Sequence, residues 1–457
     1  MKQNNRGFMK VLVSASIVLF TLTSCSKETG CTDPNAENFN PNADNDCCCY
    51  YTAVTSTSNT VVSGSIISNT TWSSDKVYEL AGKVVVENGA TLTIQPGTII
   101  KGRTGTGSLA SALIITRDAK IMAEGTVTEP IIFTSVIDNI SLGQLAGTNL
   151  SESDNGRWGG LIILGNARIS AEQGDNVAQI EGIPANESYG AYGGNNDADN
   201  SGVVRYVSIR HGGALIGEGN EINGITLGGV GNGTTIDHVE VVANEDDGIE
   251  LFGGSVNVTN ILIAFQKDDG IDIDQNYSGT IDNFLVIHGI STDEGLEIDG
   301  PEGSLNDGYF TLRNGTVRNT TPGIGSAADL KSKAQGTLEN ISFSGYDGGA
   351  WLKMRSSFQE DCNSPKSDAY SYYVATPATL QILGCEFGNT GSVDLLNVYT
   401  TSTDPTTTTC QVPASYQTEA DALFNALNPL QNANTATVGA DLSQFNNWTW
   451  AWINNKF

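Results

Sequence analysis

The sequence predicts an all-β fold, a right-handed parallel β-helix with one short helix near its end. Three observations lead there. An acidic phrase occurs three times, as Asp246-Asp247-Gly248-Ile249-Glu250-Leu251, Asp268-Asp269-Gly270-Ile271-Asp272-Ile273 and Asp293-Glu294-Gly295-Leu296-Glu297-Ile298, at intervals of 22 and 25 residues. Within each copy Ile or Leu alternates with Glu or Asp, the period of a strand with one face in a core and the other in water. Gly is abundant, 52 of 457 residues, while helix-period patterning is scarce, so the chain reads as short strands joined by turns. Repeats of this length stack strand on strand, and because each touches only its neighbours, a single domain can exceed the usual size.

The amino terminus has the layout of an export signal over residues 1–24. Lys2, Arg6 and Lys10 precede an apolar run from Val11 to Leu22 that is too short to span a bilayer comfortably. The following Leu22-Thr23-Ser24-Cys25 resembles the lipobox of bacterial lipoproteins, which implies that Cys25 is acylated and becomes the first residue of the mature chain. Ser26-Lys27-Glu28 is similar to the tag that sends lipoproteins of the Bacteroidota to the outer face of the outer membrane, so outer-membrane lipid is the expected partner of Cys25. Residues 25–51 form an anchor and a polar module bracketed by Cys31 and Cys47-Cys48-Cys49. Through Cys31, Thr32, Asp33, Pro34, Ala36, Asn38, Phe39, Asn40, Pro41 and Ala43 the module resembles a Cys-bracketed repeat of Bacteroidota surface proteins, although Asp46-Cys47-Cys48-Cys49 replaces the usual ending. It reads as a stapled spacer.

In an exported chain disulfides are the default state of cysteine. Cys31 with one of Cys47 to Cys49, Cys49 among them, would close a small loop, and Cys362 with Cys410 would pin a Thr/Ser-rich excursion. A Ser/Thr-rich linker is expected over residues 52–75, and the coil with its loop excursions and a C-terminal cap over 76–457. Strand-like runs include Val84-Val85-Val86, Leu92-Thr93-Ile94, Leu113-Ile114-Ile115, Leu161-Ile162-Ile163-Leu164 and Val203 to Ile209, with a Gly/Asn/Asp-rich excursion over 171–201. The most regular part follows, where Gly224-Ile225, Gly248-Ile249, Gly270-Ile271 and Gly295-Leu296 are spaced 24, 22 and 25 residues apart. Near the end, Thr418 is a candidate N-cap for a helix reaching Leu427, and Trp448-Thr449-Trp450-Ala451-Trp452 alternates like a terminal strand blunting the open end of the coil.

Stacking at about 4.8 Å places equivalent side chains of successive coils in columns. The acids form four: Asp246, Asp268 and Asp293; Asp247, Asp269 and Glu294; Glu250, Asp272 and Glu297; Asp274 and Asp299. Carboxylates at that separation repel by roughly 1 to 4 kcal/mol per close pair, depending on the local dielectric. Calcium, a hard cation taking several oxygens, is the cofactor that would offset this. A second offset is basic. Leu330-Lys331-Ser332-Lys333 and Leu352-Lys353-Met354-Arg355 share the alternation, which would extend the third column by Lys331 and Lys353 and the fourth by Lys333 and Arg355. The formal net charge of −28 excludes nucleic acid as a natural partner of the folded part.

Asn200-Ser201-Gly202-Val203, Asn220-Glu221-Ile222-Asn223-Gly224, Gly233-Thr234-Thr235-Ile236-Asp237-His238 and Asp247-Gly248-Ile249-Glu250 together resemble a β-helix lipoprotein family of the Bacteroidota, with pectate-lyase-like architecture. The resemblance implies fold and envelope location. It implies little about activity, but a flank acidic at one end and basic at the other reads as a polysaccharide-lyase or uronate-binding groove, as in pectate-lyase-like β-helices, in which acids hold calcium, calcium meets a sugar carboxylate, and Lys331, Lys353 or Arg355 takes the neighbouring proton. Against catalysis, a lysine among carboxylates keeps its proton, and a self-compensating charge ladder explains most of these residues. Paired acids of a glycosidase are a third possibility, because a ladder supplies the required separations automatically. His211 and His288 beside Gly turns read as structural. Calcium binding with a polysaccharide as possible partner is therefore the expectation, ahead of a lyase or hydrolase.

Overall fold

The computed structural model describes residues 29–31, 39–43, 45–46 and 59–457, except 185, 217–221, 322–324, 347–350, 360, 389–394, 401–409, 428–429 and 432–437. The export signal, Cys25, Cys49 and the linker up to residue 58 lie outside the described residues. Two compact units are distinguished, 1–51 and 52–457. In the first, Thr29–Gly30 pairs with Asn45–Asp46, and Cys31 is disulfide-bonded.

The second unit is a right-handed parallel β-helix. Each regular coil has one short strand and one long, bent strand. The short strands Ala112–Ile115, Leu161–Leu164, Ile225–Gly228, Ile249–Phe252, Ile271–Asp274, Leu296–Ile298, Ala328–Leu330, Leu352–Arg355 and Leu396–Tyr399 stack in parallel as one face, here sheet A. The long strands Gly202–Arg210, Thr235–Val242, Asn257–Ala264, Thr280–His288, Phe310–Asn319 and Gly336–Ser344 each turn a corner, with the halves before and after it forming sheets B and C.

One left-handed residue per coil makes that corner: Tyr206, His238, Asn260, Asn283, Asn314 and Asn340 all have φ between 47° and 60°. Asn tolerates this region better than most residues. Its side chain also links coils, since Asn283 Nδ2 donates to Asn260 Oδ1 at 2.7 Å and Asn340 Nδ2 to Asn314 Oδ1 at 2.6 Å. A single apolar core, from Trp72 to Val398, fills the coil between the three sheets.

The Gly of the acidic phrase has a packing reason. A Cβ on Gly270 would lie 2.4 Å from the Gly295 carbonyl oxygen and 2.6 Å from Val286 Cγ1, and one on Gly248 would lie 2.2 Å from Ile263 Cγ2. The turn entering sheet A is thus pressed between the next coil and the inward side chains of sheet C, leaving no room for a side chain.

Several expectations need correction. Strands begin at Thr60–Ile66, so residues 60–75 belong to the coil; this first coil has a neighbour on one side only, and its largely exposed Ser/Thr pattern resembles linker. The long helix runs Ala414–Ala426 with Pro413 at its N-cap, while Thr418 sits inside it and its hydroxyl donates back to the Ala414 carbonyl at 3.0 Å. This helix covers the last strand of sheet A, because Gln417 donates to the Leu396 carbonyl and accepts from Val398 N–H, both at 2.8 Å. Trp448 to Trp452 is not a terminal strand. Trp450–Ile453 is helical and lies against the outer face of sheet C, where Trp448, Phe445 and Ala451 cover Leu262, Ala264, Leu285 and Ile287. The apolar exterior of sheet C, rather than the open end of the coil, is what these aromatics bury. Among the described residues no helix is long and apolar enough to cross a membrane.

Candidate functional site on the outer face of sheet A

One row of side chains on the outside of sheet A changes chemistry along the coil. The register pairs Val85, Ile114, Ile162, Thr226, Glu250, Asp272, Glu297, Asp329, Lys353 and Asn397 in sequence. The next outward row runs Phe252 and Asp274, then Asp299, whose N–H bonds the Ile273 carbonyl at 2.7 Å, and ends on Arg355 and Tyr399. The apolar start of the face is roofed by the excursion after Leu164, which packs Ile180, Ile183 and Tyr192 against Ile162, Leu164 and Phe252.

The acids converge where the roof ends. Carboxylate oxygens of Asp247, Glu250 and Asp272 all lie within 4.8 Å of one another, as do those of Asp246, Asp247 and Asp268. Asn223, 2% exposed, donates its amide nitrogen to Glu250, while its Oδ1 has no hydrogen-bond partner among the described residues. Asp272 is only partly buried as a residue, yet its Oδ1 is enclosed and likewise unpartnered there. Burial, reinforced by neighbouring acids, pushes the carboxyls of Asp247, Glu250, Asp269, Asp272 and Asp274 well above the usual carboxylate range.

The second column has a structural duty as well. Asp247 Oδ1 accepts from Asp269 N–H at 2.9 Å, and Asp269 Oδ1 from Glu294 N–H at 2.6 Å, so each acid caps the backbone of the following coil. Asp293 N–H bonds the Asp268 carbonyl at 3.2 Å, which keeps the first column stacked too.

In the basic extension Lys353 and Arg355 stand in their expected columns, but the coil of Lys331 and Lys333 is displaced from its expected register by two residues. Asp329, not Lys331, pairs with Glu297 and Lys353, and Leu330 pairs with Ile298 and Met354. Lys331 therefore falls in the Asp299–Arg355 row, and Lys333, with φ 63°, lies in the turn beyond the strand. The cause is an inserted loop between Ile298 and Ala328, together with a coil in which Ser326-Ala327-Ala328-Asp329 replaces the acidic phrase and hides the frame.

Each of the three basic side chains is engaged. Lys331 is paired with Glu297 and sits 3.9 Å from Asp299; Lys353 is paired with Glu294 and sits 3.2 Å from Asp329. Arg355 Nε contacts Asp368 at 2.9 Å. Burial works against the charge on Lys353 and Arg355, but their acid partners outweigh it and both hold their protons more firmly than usual. A lysine or arginine in that state is a poor proton acceptor. Nor do the histidines join the site: His211 Nδ1 contacts the Asp154 carbonyl at 2.6 Å, and His288 Nε2 contacts the Tyr346 hydroxyl at 2.8 Å. Burial lowers both to about 4.

Asn223, Thr226, Asp329, Asp368 and Tyr399 belong to this face and were not singled out from the sequence. Asn223 and Thr226 stand in the frame of Asp247 and Glu250, one coil earlier, so the Gly224-Ile225 spacing carries their signal. Tyr399, whose hydroxyl donates to Asp329 at 2.8 Å, has no such signature. Away from the site, Cys362 and Cys410 are joined by a disulfide, and Cys385 is a buried free thiol.

No curated protein and no solved structure matches the chain. A family model described as a pectate-lyase-like beta helix domain matches residues 64–453, nearly the whole of the coil just described, and the chain belongs to that family.

Proposed function

We propose that this chain is a lipoprotein held at the outer cell surface through Cys25, whose acidic flank on sheet A binds calcium and, through it, an extracellular polysaccharide. The family fits a carbohydrate-related role. The observation that carries the calcium reading is the convergence of Asp247, Glu250 and Asp272 with oxygens of Asn223 and Asp272 that have no hydrogen-bond partner among the described residues. Carboxylate and amide oxygens are the donors a hard cation takes, and a divalent ion there would offset the burial and the mutual repulsion that favour the protonated form of these carboxyls. The ion would be held by Asp247, Glu250, Asp272 and Asn223, with Asp246 and Asp268 at the solvent edge. Asp269, Asp274, Asp293, Glu294, Glu297 and Asp299 extend the negative field along the flank.

Binding is favoured over catalysis because Lys331, Lys353 and Arg355 are each committed to an acid partner. The test is a melting curve and an acidic-glycan array, each run in calcium and in chelator. Calcium is expected to raise the melting temperature, by about 2.7 kcal/mol of stability at a free concentration of 100 Kd. Retention of glycans should follow calcium. A melting temperature and an array that both ignore calcium would remove the proposal, and release of unsaturated sugar products would turn it into a lyase.

A further inference from the structure

We infer that a cleft on the outer side of sheet C, at the amino-terminal end of the coil, binds a small organic acid through the buried ammonium of Lys101. The site is separate from sheet A and independent of the calcium reading. Lys101 stands in the outward row Glu79, Lys101, Thr134, where the strands Ile99–Gly102 and Ile131–Ser135 lead into sheet C. The excursion after Ser135 folds back over these strands, with Ile140 packed on Ile99 and Ile132. Between that excursion and residues 75–77 a cleft of about 560 Å³ stays open, with Lys101 in its lining, and a volume of this order admits a sugar-sized molecule.

Lys101 is 8% exposed, and its Nζ donates to the carbonyls of Asp138 and Ile140 at 2.7 and 2.8 Å. An ammonium carries three N–H groups, so one is left without an acceptor among the described residues. No carboxylate there is in ion-pair contact with it, because the acids nearby are engaged elsewhere. Asp138 accepts from the Thr134 hydroxyl at 2.8 Å and from Ile140 N–H at 2.9 Å, Glu79 is held by Arg103 at 2.6 Å and Asn59 at 3.2 Å, and Asp75 accepts from the Ser73 hydroxyl. Burial pulls Lys101 toward losing its proton, and the charges of Asp138 and Glu79 oppose this only in part. The two carbonyl contacts explain how the lysine pins the excursion. They leave the third donor and the open cleft beside it without a purpose.

The rest of the lining indicates what would fill the space. Lys76, exposed at the rim, has no hydrogen bond or ion pair among the described residues, so the cleft is bordered by a second available cation. Ser141, also exposed at the rim, adds a hydroxyl, while Val77, Ile140 and Leu142 form an apolar wall. A carboxylate brings the buried ammonium both the charge and the acceptor it lacks. A carbon skeleton attached to that carboxylate covers the apolar wall, which a bare inorganic ion cannot do.

Calorimetric titration of the full chain in chelator, where sheet A holds no calcium, tests the inference with galacturonate, glutarate and benzoate as probes and with galactose and inorganic phosphate as controls. At least one of the three carboxylates should bind at one equivalent and more tightly than either control. Lys101→Met, with its fold checked by circular dichroism, should weaken that binding by about tenfold or more, the loss expected when a charge-assisted hydrogen bond goes. Lys76→Ala combined with Ser141→Ala alters only the exposed rim and should weaken it by about threefold, which keeps the test decisive if Lys101→Met does not fold. Glu250→Gln on sheet A should change nothing. Failure of all three carboxylates to bind, a response to phosphate as strong as theirs, unaltered binding in the folded cleft variants, or loss of binding in Glu250→Gln would each overturn the inference.

Discussion

The acidic and basic halves of sheet A occupy equivalent positions on one scaffold but meet their charges in opposite ways. From Glu250 to Asp274 the outward residues are carboxyls whose strongest neighbours are other carboxyls, and burial keeps them inclined to hold protons. From Glu294 onward the carboxylates have a base nearby, which offsets part of the upward pull of burial on Glu294, Asp299 and Asp329: Glu297 has Lys331, Glu294 and Asp329 have Lys353, and Asp368 has Arg355. Rows that differ by one or two coils are therefore a site waiting for a charge and a ladder that carries its own. The same backbone supports both because a parallel coil fixes where side chains point without fixing what they are.

The largest expected effect separates the halves by pH. The carboxyls of Asp247, Glu250, Asp269, Asp272 and Asp274 are raised in the folded chain above ordinary values of 3.8 or 4.5. A raised acid stabilises the fold below its unfolded pKa, and that contribution is lost as pH climbs through the folded pKa. Each unit of elevation is worth about 1.4 kcal/mol. In chelator, the melting temperature should accordingly rise as pH falls from about 8 to about 5. Asp237, lowered to about 2 against the pull of its burial by His238 and Asn260, works the other way at the acid extreme and is lost below its ordinary value. Lys353 and Arg355 stay charged throughout and add little slope. Calcium should flatten the trend, with its benefit greatest at alkaline pH. A chelated chain that is least stable at pH 5 would show that the acidic half is already neutralised by other means.

A smaller effect comes from a single charge. Asp272→Asn keeps the shape and the oxygen while removing one member of the buried triad. Without calcium at pH 8 it should stabilise the fold by about 1 to 3 kcal/mol, since it deletes repulsion and no basic partner is stranded. The gain from calcium should shrink in the same variant. Paired melts with and without calcium check both, and destabilisation in chelator would mean that Asp272 is satisfied in a way the geometry does not reveal.

How much of this was legible in the sequence follows from what repeats. The coil was readable because Gly-Ile and Gly-Leu return at nearly constant spacing, and the structure gives the reason, a turn with no space for a Cβ at Gly248 and Gly270. The columns were readable wherever that phrase persists, so Glu250, Asp272 and Glu297 stand in register. Register was lost at Ala328, where the phrase gives way to Ser-Ala-Ala-Asp after an inserted loop, and the alternation of Leu330 with Lys331 fits equally well when shifted by two. A period of two cannot detect a slip of two. The roof contributed by Ile180, Ile183 and Tyr192, and the C-terminal aromatics on sheet C, were not legible because both depend on which distant surface a non-repeating segment meets.

The smallest effect tests the basic half and has the opposite sign. Asp329, 7% exposed, lies 3.2 Å from Lys353 and accepts from the Tyr399 hydroxyl. Asp329→Asn removes a charge that Lys353, 29% exposed, uses together with Glu294. Because the lysine keeps one acid partner and reaches water, the loss should be modest, about 1 kcal/mol, and indifferent to calcium. Two conservative Asp→Asn changes, two coils apart in the same outward row, would then move stability in opposite directions. If Asp329→Asn instead stabilised the chain, Lys353 would not be the counter-charge of that carboxylate, and the division of sheet A into a charge-seeking half and a self-neutralised half would fail.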